Sequence, residues 1–301
     1  MKYLCIGHIA YDITLLMKDF PKENTRNEIV EKYEAGGGST ANSACLLGYW
    51  DQEAYICGVI GYDSYSEKLK KEFGDFKVQT NFLEFDYENK TPLTYVIINP
   101  LNASRTILQH KQGLANIKKN DYSTVTPDAI LLDGHEYDTV VKTLKYMPNA
   151  VSILDAGRVN KNVLDLCTKV NFIICSKEFA EEVSGIKMAD NDTSVIANIY
   201  QNLKQKFPKQ EIVVTLEDKG ALYSYENHIK ILPALKVNVK DTTGAGDIFH
   251  GAFAYQYMKT KNVEDAVKFA NITAGLSTQS VGVKNSYPKL DEVMKYYEQA
   301  Q

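Results

Sequence analysis

The sequence has little of what marks an exported, membrane-bound or nucleic-acid-binding protein. Its 301 residues hold 34 Lys and Arg against 38 Asp and Glu, so there is no basic excess to attract a polyanion. No segment approaches the roughly 18 consecutive apolar residues that predict a transmembrane helix. The first residues, MKYLCIGHIAYDI, lack the basic and long apolar regions of a signal peptide. We therefore expect a cytoplasmic protein without a membrane or nucleic-acid partner.

Metal and nucleophile motifs are also missing. The five cysteines show no CxxC spacing and fall mostly in apolar runs, which indicates reduced core thiols. His8, His110 and His135 have no metal-ligand spacing and no Cys or Ser partner for nucleophilic catalysis. We interpret them as polar residues at strand ends. Substrate contact is the alternative for His135 and Asp133, which follow a predicted strand where α/β sheets bind ligands.

What the chain does contain is an alternation of short apolar runs and helical patterns. The runs start near residues 3, 54, 129, 151, 171 and 211. The helical patterns cover about 63–74, 136–147, 160–168, 177–185, 192–207, 245–260, 263–281 and 289–299. This repetition favours a mostly parallel sheet with helices on both faces. With 44% apolar residues, we predict one domain over 1–301 with a sizeable core.

Two segments do not fit that sheet. Residues 25–34 and 91–110 alternate like antiparallel strands, and the second carries a hairpin turn around Pro100 to Ser104. Edge strands need a partner or a function. We therefore predict a small β-sheet lid over the site, formed by about 13–35 and 91–110.

Three glycines in a row, Gly36 to Gly38, precede a helical pattern of small and apolar residues. Ser39 and Thr40 are placed to cap that helix. Because glycine has no Cβ, such a strand-to-helix turn lets a ligand approach the main chain closely. A tight connection without a ligand is the alternative.

The segment VNVKDTTGAGD, residues 237–247, predicts a strand that runs into a glycine turn, with a helix starting at once. The N–H groups of Gly244, Ala245 and Gly246 would converge on one point at the positive end of the helix dipole and form an anion hole. Asp247 beside it suits a base that takes the proton of an attacking hydroxyl in phosphoryl transfer. Alternatively, Asp247 only stabilises the helix N-terminus. No GxxxxGK[ST] motif offers a P-loop route to ATP chemistry.

The string DTTGAGD, together with GGxxxN at Gly37 to Asn42, closely resembles the two signatures of the ribokinase, or PfkB, family of carbohydrate kinases. The resemblance runs from GHIAYD at residue 7 to SVGVKNSYP at residue 280. It implies a three-layer α/β/α ribokinase-like fold with a mostly parallel central sheet and a β lid. It also implies ATP and Mg²⁺ as the partners of a small-molecule sugar.

The resemblance assigns the acceptor side of the site. Asp12 would bind sugar hydroxyls, because a carboxylate accepts from two hydroxyls at once. Gly37 and Gly38 would place backbone against the sugar, and Asn42 would reach it with its amide.

The resemblance also assigns the groups that act on the phosphate. Asp247 would be the general base, and the N–H groups of Gly244 to Asp247 would stabilise charge. Arg105 resembles the lid arginine that reaches ATP phosphates in ketohexokinase, and arginine can engage phosphate oxygens bidentately. An exposed strand residue is the alternative for Arg105.

The nucleotide side rests on three further stretches. The resemblance points to Thr215 and Gly220 in VTLEDKG, to Lys177 at a helix start, and to Asn271, Ala274 and Gly275 on a late helix. Read without the resemblance, Asn271, Ala274 and Gly275 are helix-packing residues and Lys177 is a solvated one. Glu217 stands where the family often has glycine.

The metal sites are the least defined part. Ser176 and Phe179 replace the Asn and Glu of the NxxE element that many members use near magnesium, which leaves open how Mg²⁺ is held. Asp241 and Thr243 resemble the start of the family's monovalent-cation loop, which would take K⁺. The same two residues also shape the glycine turn.

These observations predict an ATP-dependent kinase that phosphorylates a hydroxymethyl group of a free ketose or pentose. The glycine turn reads GGSTAN, without the basic residue that would favour a sugar phosphate. A nucleoside kinase of the same fold and a catalytically silent sugar-binding protein are the alternatives. Lid dimers are common in the family, and Tyr95, Val96 and Ile98 are the expected face of a homodimer.

Overall fold

A computed structural model describes residues 1–99, 101, 105–110, 113–118, 124–188 and 193–299. The turn predicted around Pro100 to Ser104 lies mostly outside these residues. The strands are β1 Lys2–Ile6, β2 Ala10–Met17, β3 Ile29–Gly37, β4 Glu53–Gly61, β5 Gln79–Asp86, β6 Leu93–Ile98, β7 Arg105–His110, β8 Ala129–Leu132, β9 Val151–Ala156, β10 Phe172–Ser176, β11 Glu211–Thr215, β12 Ala221–Tyr225 and β13 His228–Leu232. The α-helices are α1 Ser39–Tyr49, α2 Ser64–Asp75, α3 Tyr137–Tyr146, α4 Lys161–Cys167, α5 Lys177–Ser184, α6 Thr193–Lys206, α7 Ala245–Thr260, α8 Val263–Ser277 and α9 Leu290–Gln299.

Nine of these strands form one sheet in the order β13-β12-β11-β10-β9-β8-β1-β4-β5. Its neighbouring strands are parallel except for β11–β12 and β12–β13. Helices α1, α2, α7, α8 and α9 cover one face, and α3 to α6 cover the other. The predicted three-layer α/β/α fold is confirmed.

Each face of the sheet has its own apolar core, because successive side chains of a strand point to opposite faces. In β1, Cys5 joins the core under α1 and α7, while Leu4 and Ile6 join the core under α3 to α6. Strand β8 is buried along its whole length, as expected for a strand covered on both sides. All five cysteines are buried and none forms a disulfide, which confirms the interpretation as core thiols.

The predicted elements are present, with corrections at two places near the C-terminus. The strand predicted over 237–243 is wrong: these residues form no strand. Instead, the N–H groups of Lys240 and Asp241 donate to the carbonyl of Thr278 at 2.7 and 3.1 Å. Helix α8 ends at Ser277 rather than near 281. Strands β5, β12 and β13 were not expected from the sequence.

A second sheet has the order β3-β2-β6-β7 and contains the segments predicted as a lid. Strand β2 is antiparallel to β3 and parallel to β6, and β6 is antiparallel to β7. Val96 and Ile98 in β6 are only 3% and 7% exposed. They face inward, so the prediction that they contribute to an exposed dimer face is wrong.

The strand order places a crevice beside β1. From β1 the chain builds β4 and β5 on one side and later β8 to β11 on the other. Ligands of open α/β sheets bind outside the carboxyl ends of the strands at such a reversal. Across the described residues we find no helix whose length and hydropathy would suit a bilayer.

Candidate active site

The glycine turn at the end of β3 brings backbone against two polar groups. A Cβ on Gly37 would collide with the Asp12 carboxylate, and one on Gly38 would collide with the carbonyl of His8. Gly38 has φ +108°, which L side chains rarely adopt. It is the N-cap of α1, which has no side-chain cap. The prediction that Ser39 and Thr40 cap this helix is therefore wrong, and the packing itself requires both glycines.

Asn42, one turn into α1, faces the start of α7. Its Nδ2 donates to Oδ2 of Asp247 at 2.6 Å, and the hydroxyl of Ser43 donates to the backbone carbonyl of Asp247 at 2.8 Å. The helices approach closely at Gly251, where a Cβ would lie 3.2 Å from Cα of Ser43. The two glycine motifs of the sequence thus meet in one site.

Asp247 lies among groups that affect its charge in opposite directions. Burial, and then the nearby Asp155 carboxylate, raise the pKa of Asp247 to about 6. Hydrogen bonds from Asn42 and Ser39 and the neighbouring His250 act in the other direction. A carboxylate with a pKa this close to neutrality is a better proton acceptor than an ordinary aspartate and still ionises at neutral pH.

Asp155, near the end of β9, is a site residue that the sequence analysis missed. The hydroxyl of Ser39 donates to its carboxylate. Burial raises the pKa of Asp155 to about 6, with a further contribution from Asp133. Because Asp155 and Asp247 interact, they titrate as a coupled pair. The available signal was an acid at the carboxyl end of a predicted strand.

The two glycines at the start of α7 differ in the space around them. Gly244 has φ +77°, and a Cβ there would lie 2.6 Å from the side chain of Val283. A Cβ on Gly246 would meet no atom within 4 Å. In the first turn of α7, the N–H groups of Gly246 and Asp247 have no acceptor within the helix, while that of Ala245 donates to the Thr242 carbonyl at 3.3 Å. This arrangement fits an anion at the helix N-terminus.

Arg105, the first residue of β7, reaches this turn from the second sheet. Its Nη1 donates to the hydroxyl of Thr242 at 2.8 Å, although 137 residues separate the two along the chain. The arginine is otherwise exposed. The structure therefore brings together the predicted lid cation and the predicted anion hole.

Asp12, in β2, faces the same space from the opposite side. Burial raises the pKa of Asp12 to about 6, although a hydrogen bond from Thr94 and the charge of Lys284 lower it. The carboxylates of Asp247 and Glu72 raise it further. The Asp12 carboxylate lies against Gly37 in the turn before α1, and the Asp247 charge acts on it, so both predicted acids lie at one site.

Asp133 lies where the strand order reverses. It accepts the N–H groups of His8 at 2.9 Å and His135 at 3.0 Å, and the hydroxyl of Thr40 at 3.3 Å. Burial acts to raise the pKa of Asp133, but the contacts with His135 outweigh it and hold the pKa below the usual value. No three His, Cys, Asp or Glu side chains in the described part of the chain could together hold a metal ion.

On the nucleotide side, Thr215 ends β11, and its hydroxyl donates to the carbonyl of Cys175 at 3.3 Å. Gly220 has φ +97°, and a Cβ there would collide with the Leu232 carbonyl. Glu217, between them, has φ +55°. This left-handed conformation is the one that glycine adopts freely. Glu217 therefore has the backbone conformation that suits the glycine often found at this position in the family.

The predicted residues of α8 face the segment after β13. Nδ2 of Asn271 donates to the carbonyl of Pro233 at 2.7 Å. A Cβ on Gly275 would lie 2.8 Å from Leu235, and Ala274 is half-buried. Asn271 and Gly275 thus have packing contacts of their own, and their contact with a nucleotide stays a prediction.

The stretch that replaces NxxE has structural contacts at both altered positions. Ser176 caps α5 by accepting the N–H of Phe179 at 3.2 Å, and Phe179 is only 1% exposed. A serine cap and a core phenylalanine leave no carboxylate there for a metal. Lys177 follows Ser176, which pairs with Thr215 between β10 and β11. Lys177 and Thr215 therefore lie at one edge of the sheet.

The loop before the glycine turn holds a buried carboxylate. Asp241 accepts the N–H groups of Thr243 and Gly282, both at 2.9 Å. The hydroxyl oxygen of Thr243 is buried and has no hydrogen-bond partner. Buried polar atoms are rarely left unsatisfied, so an orphaned hydroxyl beside a buried carboxylate fits a bound cation.

Comparison with known proteins shows the family of the chain. The family model described as pfkB family carbohydrate kinase matches residues 1–290. The chain is 24% identical over 309 residues to a deoxyribokinase of Salmonella typhi, with 98% of both chains covered. It is 25% identical to a ribokinase of Staphylococcus aureus, covering 97% of this chain and 98% of the other. It is 23% identical to a nucleoside kinase of Methanocaldococcus jannaschii, covering 99% and 97%.

Solved structures show the same fold. A ribokinase of Giardia lamblia superposes with a TM-score of 0.85 at 16% identity, covering 98% of this chain and 99% of the other. An Arabidopsis thaliana ribokinase complexed with ribose and ATP superposes with a TM-score of 0.82 at 20% identity, covering 98% of both chains.

Proposed function

The chain belongs to the pfkB family of carbohydrate kinases, and on that premise we propose that it transfers the γ-phosphoryl group of ATP to a hydroxymethyl group of a free sugar. Ketoses and pentoses are the favoured acceptors. The observation that carries this proposal is the Asn42–Asp247 hydrogen bond of 2.6 Å. It supports the proposal because it joins the proposed base to the amide proposed for the acceptor side, next to the open position at Gly246.

In the proposed reaction, Asp247 accepts the proton of the sugar hydroxyl while the hydroxyl oxygen attacks the γ-phosphorus. The bond from that phosphorus to the β,γ-bridging oxygen breaks, and ADP leaves with the electron pair. The N–H groups at Gly246 and Asp247 and the guanidinium of Arg105 stabilise charge on the moving group. Closure of the β2–β3–β6–β7 sheet as a lid would exclude water and suppress ATP hydrolysis.

The charges on the acceptor side support a free sugar over a sugar phosphate. Lys284, a buried cation there, is paired with Glu72 at 3.4 Å, and its charge is balanced. Four carboxylates face the same region and would repel an anionic acceptor. They belong to Asp12, Asp133, Asp155 and Asp247.

ATP would lie with its phosphates at Gly246 and its adenosine towards Thr215, Gly220 and α8. Mg²⁺ is bound in proteins by few carboxylates together with phosphates and water. Asp155 is the carboxylate that would hold it beside the base, and the ion would neutralise phosphate charge when bound. Asp241 and the orphaned Thr243 hydroxyl would hold K⁺.

The proposal also covers assembly and location. Leu108, on the outer strand β7 of the second sheet, is 53% exposed and pairs with the half-buried Tyr95 of β6. We assign these two side chains to a homodimer face. The five cysteines form no disulfide, which supports a cytoplasmic location. Sedimentation of wild type and Leu108→Lys tests the dimer, since only the wild type should form one.

The function is tested by coupled detection of ADP across ketoses, aldoses, sugar phosphates and nucleosides. Wild type, Asp247→Asn and the exposed control Asp291→Asn are compared. We expect turnover on a free sugar that falls at least about a hundredfold in Asp247→Asn and stays unchanged in the control. Turnover on nucleosides alone would favour the nucleoside kinase, which the likeness to the Methanocaldococcus protein supports. Binding without any turnover would favour a silent sugar-binding protein.

A further inference from the structure

A buried lysine contacts Asn42, the residue that donates to the proposed base. Lys284 lies in the 3₁₀ turn Val283–Asn285 between α8 and α9, and its side chain is 8% exposed. Its Nζ donates to Oδ1 of Asn42 at 2.8 Å and to the hydroxyl of Tyr287 at 3.2 Å. Lysines are almost never buried unless they are paired. The partners of Lys284 therefore define what it does.

The contact with Asn42 fixes which way the Asn42 amide points. An ammonium group only donates hydrogen bonds, so it selects the amide oxygen. The NH₂ group must then face Asp247, where it donates at 2.6 Å. The hydroxyl of Tyr287 donates to the backbone carbonyl of Asn42 at 3.1 Å, which holds the same residue from its main chain.

Glu72 holds the lysine from the other side. Its Oε1 lies 3.4 Å from Nζ of Lys284, and its Oε2 accepts the N–H of Gly36 at 2.9 Å. Gly36 belongs to the glycine turn of the acceptor side. Because the Glu72 charge balances that of Lys284, the lysine is not an open anion site.

We propose that Lys284 is a positioning residue for phosphoryl transfer: it orients the Asn42 amide so that Asn42 donates to the base Asp247, and Glu72 anchors it. This inference rests on the proposed function. Without Lys284, only the Asp247 carboxylate selects the NH₂ end of the Asn42 amide. The amide oxygen is then unanchored, so the amide can tilt away and the base is held less firmly by its donor.

The test is a double-mutant cycle on kcat with Lys284→Met and Asn42→Ala. We expect Lys284→Met to lower kcat by roughly tenfold to a hundredfold, the size of a small misplacement of a reacting group, with the KM for ATP unchanged. In the Asn42→Ala background, the same change should lower kcat less than about twofold, because residues that act through one another are not additive. Equal losses in both backgrounds would overturn the proposal.

Two controls separate positioning from folding. Lys289→Met removes an exposed lysine five positions along and should leave kcat unchanged. The pair Glu72→Gln with Lys284→Met removes both buried charges, which avoids leaving one unpaired. It should fold with wild-type thermal stability and show the same loss of kcat as Lys284→Met. Wild-type kcat in this folded pair would overturn the proposal.

The side-chain amide signals of Asn42 in ¹⁵N–¹H spectra give a readout that does not depend on turnover. They should shift in Asp247→Asn and in Lys284→Met, and not in Lys289→Met. If the wild type turns over no acceptor while these shifts occur, the proposed function fails and the orienting contact stands. If the signals are unmoved in Lys284→Met, the orienting contact itself fails.

Discussion

The side-chain amide of Asn42 lies 2.6 Å from the carboxylate of Asp247, although 205 residues separate the two along the chain. Helices α1 and α7 carry them and pack at Gly251. The glycine turn at the end of β3 and the glycine turn before α7 are therefore packed against each other through these two helices. A change in either helix is expected to reach both.

Asp155→Asn should shift the pH profile of the reaction. The Asp155 charge raises the pKa of Asp247, so its removal lowers that pKa. The base must be ionised to act, so the acidic limb of kcat/KM should move to lower pH. Asn42, Ser39 and His250 also face Asp247 and are unchanged in this variant. An acidic limb that stays in place, or moves up, would contradict the coupling, and Asp291→Asn serves as control.

Asp247→Asn should be more stable than wild type at neutral pH. The folded pKa is raised from 3.8 to about 6, so the acid contributes stability that is present below about 4 and is lost as pH rises through 6. Asparagine removes this loss. We expect the variant to gain about 1–3 kcal/mol in the free energy of unfolding at pH 7.5, with the gain vanishing near pH 4. Urea unfolding at both pH values measures it, and a gain that persists at pH 4 would contradict this origin.

Gly246→Ala and Gly244→Ala should separate binding from folding. A Cβ on Gly246 would meet no atom within 4 Å, so the Gly246→Ala variant should fold normally. Its methyl group should lower phosphate binding and turnover by at least about tenfold. Gly244 has φ +77° and packs on Val283, so alanine should cost about 1–3 kcal/mol of stability. Thermal unfolding and the KM for ATP check the pair. Equal effects on stability would show that Gly246 is not facing a ligand.

Arg105→Ala should reduce turnover without changing stability. The guanidinium is exposed and bonded to Thr242, so little packing is lost. Loss of a charge-stabilising donor costs about a hundredfold to a thousandfold in kcat. Thr242→Val, which removes only the partner, should have a much smaller effect. Similar losses in both variants would assign Arg105 a role in shaping the turn.

Glu217→Gly should stabilise the protein. Glu217 holds φ +55°, which costs an L residue about 1–2 kcal/mol relative to glycine. We expect a gain of up to about 1 kcal/mol after the entropy of the unfolded chain is included. The same change at Glu178, in the first turn of α5, should instead destabilise. Thermal unfolding of both variants shows whether the signs are opposite.

The sequence predicted those elements whose signal is local. Strands such as β8 are continuous apolar runs, and the GAGD string is itself a recognisable helix start. The β12–β13 hairpin was missed because its turn uses Glu226 and Asn227, both with positive φ, instead of the Asn-Gly pair typical of such turns. The segment 237–243 alternates like a strand, but its N–H groups donate hydrogen bonds to the end of α8. No local sequence pattern predicts such a distant partner.

The site was predicted where a motif carries it and missed where only the fold does. Asp12, Asn42 and Asp247 stand in recognisable strings. Asp155 stands at the end of a predicted strand and Lys284 in the turn after α8, but only the strand order and the packing of the fold bring them to the site. Burial then sets the raised pKa values, which depend on surroundings that the sequence does not display.

The packing of α1 against α7 also bears on the order in which the molecule is made. Synthesis runs from the N-terminus, and the chain can begin to fold as it emerges. Strands β1 to β3 and the glycines Gly36 to Gly38 precede α7 in the sequence, so they leave the ribosome before Asp247 is synthesised. Asn42 is therefore made well before Asp247 and Lys284, its two side-chain hydrogen-bond partners, so the proposed site cannot be assembled until the segment that carries Lys284 has been synthesised.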